Sequence, residues 1–452
     1  MTNDYRRAPC DLNLINCKIV LRNRIFEGGL SINNSKIIKI GKVSNLIKSN
    51  KIIDIKNKFI IPGLIDTHVH CRDMELSYKE DYYTATAAAI HGGITTILDM
   101  PNTKPPTISV QTLKNKVKVA EKKILCNVGF YSGIPKDFSE LDEMKKIGIF
   151  GIKLLLNNPI TNYNYNDINS FKKLINKCSE KGITILIHPE FKKYVDEKSK
   201  TIKNNNDISF FLKIHDNTNE YRTIDTIINS CKEINGHIHF CHLSISDDID
   251  LLTKYKNSGN IMKISSEVTP HHLFLSDKDL YEKGTYAKML PPLRPSPNQE
   301  NLLKALKSGI IDVIGTDHAP HSIKEKKLNF LDAPSGIPQL ETVLPIFLTK
   351  INQNEFDIFN LCRSFAENPA KLFNIKNKGV ISEGYDADLV IIDLKSEYKI
   401  NSDRFFSKAK FSPFDGMKCI GKPIMSINNG QIVMKEDEIL IKPGNGNVLL
   451  NK

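Results

Sequence analysis

The chain has 452 residues, too many for one small domain and suited to a barrel of ~250 residues plus one further unit. Apolar residues make up 40% and charged residues 25%, which excludes global disorder and allows a large core. The net charge of +12 comes from lysines spread along the whole chain, as in Ile47-Lys48-Ser49-Asn50-Lys51 and Lys200-Thr201-Ile202-Lys203-Asn204, so it describes a solvated surface ahead of a nucleic-acid or membrane footprint.

In chain order, Met1 to Leu12 is polar and lacks the apolar core of a signal peptide. Short strands are expected at Leu14–Leu21, Ile25–Ser31 and Ile37–Ile40, separated by Asn-Asn and Gly turns. The middle of the chain alternates apolar strands with amphipathic helices. The strands are Phe59–His70, Thr95–Met100, Leu125–Phe130, Ile149–Leu155, Thr184–His188, His237–His242, Ile261–Ser266 and Asp312–Asp317, with helices such as Ser170–Lys181 and Asn298–Lys307 between them. Eight alternating units predict a (β/α)8 TIM-type barrel. The chain closes with further strands at Leu389–Asp393, Ile424–Ile427 and Gln431–Val433, the last two joined by an Asn428-Asn429-Gly430 turn. Two β-rich ends around one middle predict a smaller composite β-sandwich domain, with residues 1–58 and 376–452 flanking a barrel of residues 59–375. The nine cysteines form no CxxC pair, which fits buried packing residues in a reduced, cytoplasmic protein. No apolar run reaches the length of a membrane-spanning helix.

Polar residues sit where buried strands should be apolar. His68 and His70 close the first barrel strand, Asn102 follows the second, Lys153 lies inside the fourth, and His188, His242 and Asp317 close the fifth, sixth and eighth. The C-terminal ends of all these strands converge on one face of a barrel, where active sites are built. His68 and His70 are two apart and share a strand face. Imidazole and carboxylate donors suit Zn2+ or a similar divalent ion. An ammonium inside the apolar run Phe150–Leu155 is costly unless it is paired or neutralised. Two readings of Lys153 stand: an ion pair with an acid, or a neutral amine that takes up CO2 as a carbamate whose two oxygens bridge two metals.

Several motifs carry a resemblance. Asp66-Thr67-His68-Val69-His70-Cys71-Arg72, Gly315-Thr316-Asp317-His318-Ala319-Pro320-His321 with the later Lys326, Gly92 to Thr103, Glu267 to Leu273 and Pro291-Pro292-Leu293-Arg294 resemble the dihydroorotases of the amidohydrolase superfamily over roughly residues 60–345. The resemblance implies two divalent ions, Zn2+ by preference, with His68, His70 and Asp317 on one, His188 and His242 on the other, and carbamylated Lys153 between them. It implies Arg72, Asn102 and His321 around the substrate carboxylate, and the Ser335-Gly336 backbone at the ring. The implied reaction is reversible ring opening of dihydroorotate to N-carbamoyl-aspartate by a metal-bridging hydroxide, with Asp317 taking and returning the proton. Implied partners are the small-molecule substrate, a second copy of the chain in a homodimer, or aspartate carbamoyltransferase. Leu290 departs from the pattern: relatives carry a hydrogen-bonding Asn there, before Pro-Pro-Leu-Arg.

Other histidines weigh less. His271 and His272 are expected to support the site, His237 and His239 to be core groups, His91 to lie at a surface or helix end, and His318 to face away from Asp317. Cys71 is expected to be a packing residue, and Lys324–Lys327 a solvated part of a mobile loop. Hydantoinases, dihydropyrimidinases and allantoinases share the expected barrel and metals, and the Arg72, Asn102 and His321 set favours an acidic ring over theirs. A non-catalytic scaffold for a carbamoyltransferase is the second alternative, and it loses weight because every expected ligand position is filled.

Overall fold

The computed structural model describes residues 9–161, 163–165, 167–203 and 207–451. Most of the polar N-terminal stretch read above, residues 1–8, lies outside the described residues. Eight strands run parallel in sequence order: Leu64–Val69, Ile94–Asp99, Asn127–Ser132, Gly151–Leu155, Ile185–His188, His237–Phe240, Lys263–Val268 and Val313–Ile314. A parallel bridge between Val69 and His318, with His70 N donating to the His318 carbonyl at 2.9 Å, joins the last strand to the first and closes the barrel.

Alternation along the strands sorts their side chains. Ile97, Ile152, Leu154, Ile185, Ile187 and Ile238 face outward into the large core shared with helix residues such as Leu113, Phe171 and Leu174. Ile65, Leu98, Tyr131, Leu186 and Cys241 fill a smaller cluster that Phe373 and Ile375 complete. Lys153 pairs in register with Leu186, Leu186 with His239 and His239 with Ser265, so these four occupy one layer across four strands. The helices start where side chains satisfy their free N–H groups: Asp81 caps Tyr82–His91 and Ser109 caps Val110–Glu121, each in a reciprocal box with a threonine. Gly309, in the left-handed region, ends Pro297–Ser308.

The chain ends build a second, mixed sheet of nine strands around its own core, which includes Leu14, Leu30, Ile60, Leu389 and Ile427. Strand Cys10–Val20 is irregular between Leu14 and Cys17, and its two halves pair in parallel with different neighbours, Ser49–Asp54 and Phe59–Pro62. Asn429 and Gly430, both with positive φ, turn the expected hairpin between Lys418–Asn428 and Gln431–Lys435.

The single strand expected over Phe59–His70 is two strands. Phe59–Pro62 belongs to the end sheet, antiparallel to Leu389–Ile392, and Leu64–Val69 to the barrel. Gly63 separates them because the Thr95 side chain fills the space that a Cβ would take. Strand Ser49–Asp54 was not anticipated. The last residues leave the end sheet altogether: Leu449 N donates to Val128 O at 2.8 Å, Val128 N to Asn447 O at 2.9 Å and Asn451 N to Gly148 O at 3.0 Å, which places the tail against the barrel. None of the nine cysteines is in a disulfide. Among the described residues no helix is long and apolar enough to cross a membrane.

Candidate metal centre and ligand pocket

The polar residues scattered over the sequence meet at the C-terminal mouth of the barrel. Asp317 Oδ1 lies 3.0 Å from His70 Nε2 and 3.3 Å from His68 Nε2. His188 Nδ1 faces His242 Nε2 at 2.9 Å. The His68 and His242 ring centroids, 5.4 Å apart, bring the two groups together. All five side chains are buried or nearly so. His242 and Asp317 have positive φ (36° and 48°), uncommon outside glycine. The bend at His242 resolves a conflict of periodicity: the strand stops at Phe240, and its end turns His242 toward the side from which His239 also points.

Lys153 sits in the middle of this set. Its Nζ is 2.8 Å from Cys241 Sγ, and no carboxylate lies within ion-pair distance of it among the described residues. Its cation disfavours protonation of His68, His188 and His242. Burial holds His70 and His188 neutral, at about 4 and about 3, the state in which an imidazole ligates. For Asp317, burial pushes the carboxyl up, but the facing His68 and His70 outweigh it and hold it well below the usual range.

A divalent ion is tested against the donors present. His68, His70 and Asp317 offer ligand atoms within 4.8 Å of one another. The facing nitrogens of His188 and His242 share one proton at most and otherwise oppose two lone pairs, and His242 Nδ1 is buried without a partner. Such a donor set fits cations better than it fits itself.

Glu267 was quoted within a motif above without a role. It is fully buried on the seventh strand. Its Oε1 makes a short contact with His68 Nδ1 and accepts from His242 N at 3.1 Å, while Oε2 lies 3.3 Å from His239 Nε2. Burial opposes charge on both partners, yet each outweighs it for the other: His68 is raised to about 10 and Glu267 is held well below the usual carboxylate range. A carboxylate behind an imidazole fixes the ring's tautomer and direction. The signal was available: a glutamate inside the run Ile264-Ser265-Ser266-Glu267-Val268 is the same anomaly as Lys153.

Beside this centre lies a cluster of cationic and polar side chains. Arg72, 7% exposed and with φ 59°, donates Nε to Pro320 O at 3.2 Å and has no carboxylate within ion-pair distance among the described residues. Asn102 Oδ1 takes a hydrogen bond from His70 Nδ1 at 2.6 Å, leaving its NH2 free for a ligand. His321 Nε2 meets Ser335 O at 3.0 Å. Gly336 has φ 134°, and a Cβ there would lie 2.5 Å from Ala319 O and 3.1 Å from His321 Nε2, so only glycine fits. Leu290 is half-buried against the apolar cluster of Phe211, Leu293 and Ile337.

Solvation at Lys324–Lys327 holds only for Lys324 and Lys327, which are exposed, and Ile323–Lys326 is a short helix. Lys326 is fully buried and donates to the carbonyls of Pro334 and Gly336 at 3.0 Å each. Lys288 donates to Phe330 O at 2.6 Å and Ala333 O at 2.6 Å. Two ammonium groups thus pin the loop that carries Ser335 and Gly336. His271 and His272 are buried, and His272 Nε2 meets Pro291 O at 3.1 Å. His318 points away from Asp317, its Nδ1 accepting from Gln339 N at 3.0 Å. Cys71 is fully buried in the large core.

The amidohydrolase family model matches residues 59–433. The chain belongs to that family. It is similar to the dihydroorotases of Methanothermobacter thermautotrophicus (35% identity over 96% of both chains) and Methanosphaera stadtmanae (36%, over 95% of this chain and 97% of the other). Among solved structures it is similar to the L-hydantoinase of Arthrobacter aurescens, with a TM-score of 0.93 and 28% identity over 98% of this chain and 100% of that one. A D-hydantoinase from Thermus sp., at 23% identity and a TM-score of 0.86 over 97% and 98%, shares the fold.

Proposed function

We propose that this family member is a cyclic amide hydrolase acting as a dihydroorotase, interconverting dihydroorotate and N-carbamoyl-aspartate in the cytoplasm. The single observation that carries the substrate is Arg72: a buried guanidinium without a carboxylate partner, next to the His68, His70 and Asp317 group. A buried guanidinium whose terminal N–H groups have no carboxylate partner among the described residues matches a ring carboxylate, and a ring lacking one leaves that cation unsatisfied. The dihydroorotase relatives agree with this reading.

In this reading residues 59–375 carry the chemistry, with 1–58 and 376–452 as its flank. His68, His70 and Asp317 would hold one divalent ion and His188 with His242 a second, Zn2+ by preference, with carbamylated Lys153 between them. When bound, the ions supply an acidified water and polarise the scissile carbonyl. Asp317, kept ionised by His68 and His70, takes a proton and returns it to the departing ring nitrogen. Arg72 and the Asn102 NH2 would fix the carboxylate and so aim the ring, with His321 beside them lining the site through its contacts to Lys79 and Ser335 O. Of the Ser335-Gly336 backbone, Gly336 N already donates to Lys288 O at 2.9 Å and both carbonyls accept from Lys326 or His321. The Ser335 N–H and spare carbonyl lone pairs remain for the ring, where the Leu290 side chain offers no hydrogen bond.

Turnover of metal-replete enzyme on dihydroorotate, hydantoin, dihydrouracil and allantoin tests the proposal. Dihydroorotate is expected to give the highest kcat/KM. A neutral ring giving the highest value would replace this reading with that of a hydantoinase, which the fold of the L-hydantoinase equally supports.

A further inference from the structure

Lys79 lies in none of the motifs above. It belongs to the loop between the first barrel strand and helix Tyr82–His91, and its side chain is 12% exposed. Its Nζ lies 2.7 Å from Glu325 Oε1 and 3.1 Å from His321 Nδ1. Tyr78 OH also donates to Glu325 Oε1, at 3.2 Å.

An ammonium has only donors, so His321 Nδ1 must accept from it. The ring's one proton is then on Nε2, which donates to Ser335 O. Arg72 Nη2, 3.3 Å from that same Nε2, meets another donor and gains no acceptor there. Its terminal N–H groups therefore stay unspent. Burial, then the Arg72, Lys79 and Lys326 cations, keep His321 neutral. Around His321 there are thus three cations, and Glu325 is the one carboxylate in contact with any of them among the described residues.

We propose that Lys79 is a specificity-determining, positioning residue: by holding His321 in the Nε2–H form it keeps Arg72 free, and with Arg72 it makes the pocket select a ring bearing a carboxylate. The inference rests on the proposed substrate class, extending it to a residue on a separate loop.

The test uses the metal-loaded full chain as wild type, Lys79→Met and Lys79→Arg. Calorimetry measures binding of orotate, which carries the carboxylate, and of uracil, which does not. Steady-state kinetics on dihydroorotate run in parallel. Lys79→Met is expected to weaken orotate by about tenfold, the scale of one charge-assisted hydrogen bond, with a smaller loss for uracil. Its dihydroorotate defect should fall on KM more than on kcat. Lys79→Arg, which restores a cation that can only donate, should recover most of the orotate affinity. Equal losses for orotate and uracil, or orotate binding unchanged in Lys79→Met, overturns the inference. Wild-type enzyme that binds orotate but leaves dihydroorotate intact removes the proposed activity, and the binding series still decides the role of Lys79.

Discussion

Asp317 is the residue on which chemistry and geometry meet. Its carboxylate touches both His68 and His70 and stays ionised in a buried site. Asp317→Asn keeps the shape and loses the proposed base, so kcat should fall by about a hundred- to ten-thousandfold while circular dichroism stays that of wild type. Glu267 acts one contact further out, on His68, His239 and the His242 backbone. Glu267→Gln should weaken metal retention by about ten- to hundredfold, read by metal analysis after graded chelation. Retention equal to wild type would remove Glu267 from the site's design. That His68, His70, Lys153, His188, His242 and Asp317 would meet was legible in sequence because each is a polar residue closing or interrupting an apolar strand. Glu267 carried that signal and was passed over. Lys326 carried the opposite signal, since a lysine within Lys324-Glu325-Lys326-Lys327 looks solvated. What buries it is a set of main-chain carbonyls from a folded loop, which no side-chain pattern encodes.

At the level of elements, one buried ion pair lies behind the loops that carry Arg72 and Asn102. Lys116, on helix Val110–Glu121, meets Asp99 at 2.7 Å, and both are fully buried. Asp99 also accepts from Cys71 N at 2.9 Å and Tyr82 OH at 2.7 Å, and Lys116 donates to Met100 O at 2.7 Å. The pair therefore stands behind Arg72 on one side and Asn102 on the other. Removing one partner leaves a buried charge, so Lys116→Met should cost about 3–5 kcal/mol in denaturant unfolding, and adding Asp99→Asn should return part of it. A Lys116→Met cost below about 0.5 kcal/mol contradicts this account. The pair was not legible, because a lysine on an amphipathic helix is ordinarily a solvated one and only the packing of the helix on strand Ile94–Asp99 shows otherwise. Helices at Ser170–Lys181 and Asn298–Lys307 were legible to within two residues of the observed Ile168–Glu180 and Pro297–Ser308, since periodicity, an Asp cap and a terminal Gly agree there.

For the molecule as a whole, the barrel and the end sheet are joined by polar contacts as well as by packing. His91 Nδ1 lies 2.8 Å from Glu341 Oε1 and its Nε2 3.5 Å from Asp437 Oδ1, in the turn after strand Gln431–Lys435. Burial lowers His91, but the two carboxylates outweigh it and raise it to about 9. A raised histidine stabilises the fold fully below its unfolded value near 6.5, and that contribution is lost as pH rises through about 9. The melting temperature should therefore fall between pH 6 and 10 by the equivalent of about 1 kcal/mol after solvent screening. His91→Gln should flatten that slope, and an unchanged slope would show the clamp to be idle. The composite organisation itself was legible from β-rich ends around an alternating middle. The return of the tail to the barrel was not, because Gly444 to Leu449 has no strand-like alternation and is held by main-chain hydrogen bonds.

The split at Gly63 has a consequence for synthesis on the ribosome. Phe59–Pro62 emerges early, directly ahead of the first barrel strand Leu64–Val69, yet one of its two neighbours, Leu389–Ile392, is translated only after the entire cylinder. Val128 waits longer still, for Asn447 and Leu449. A nascent polypeptide can thus hold His68, His70, His188 and His242 in chain order while the segment leading into His68 is still missing a hydrogen-bonded flank. Residues 389–449, and not completion of the eight-strand ring, therefore supply the last of these hydrogen-bonded partners in chain order.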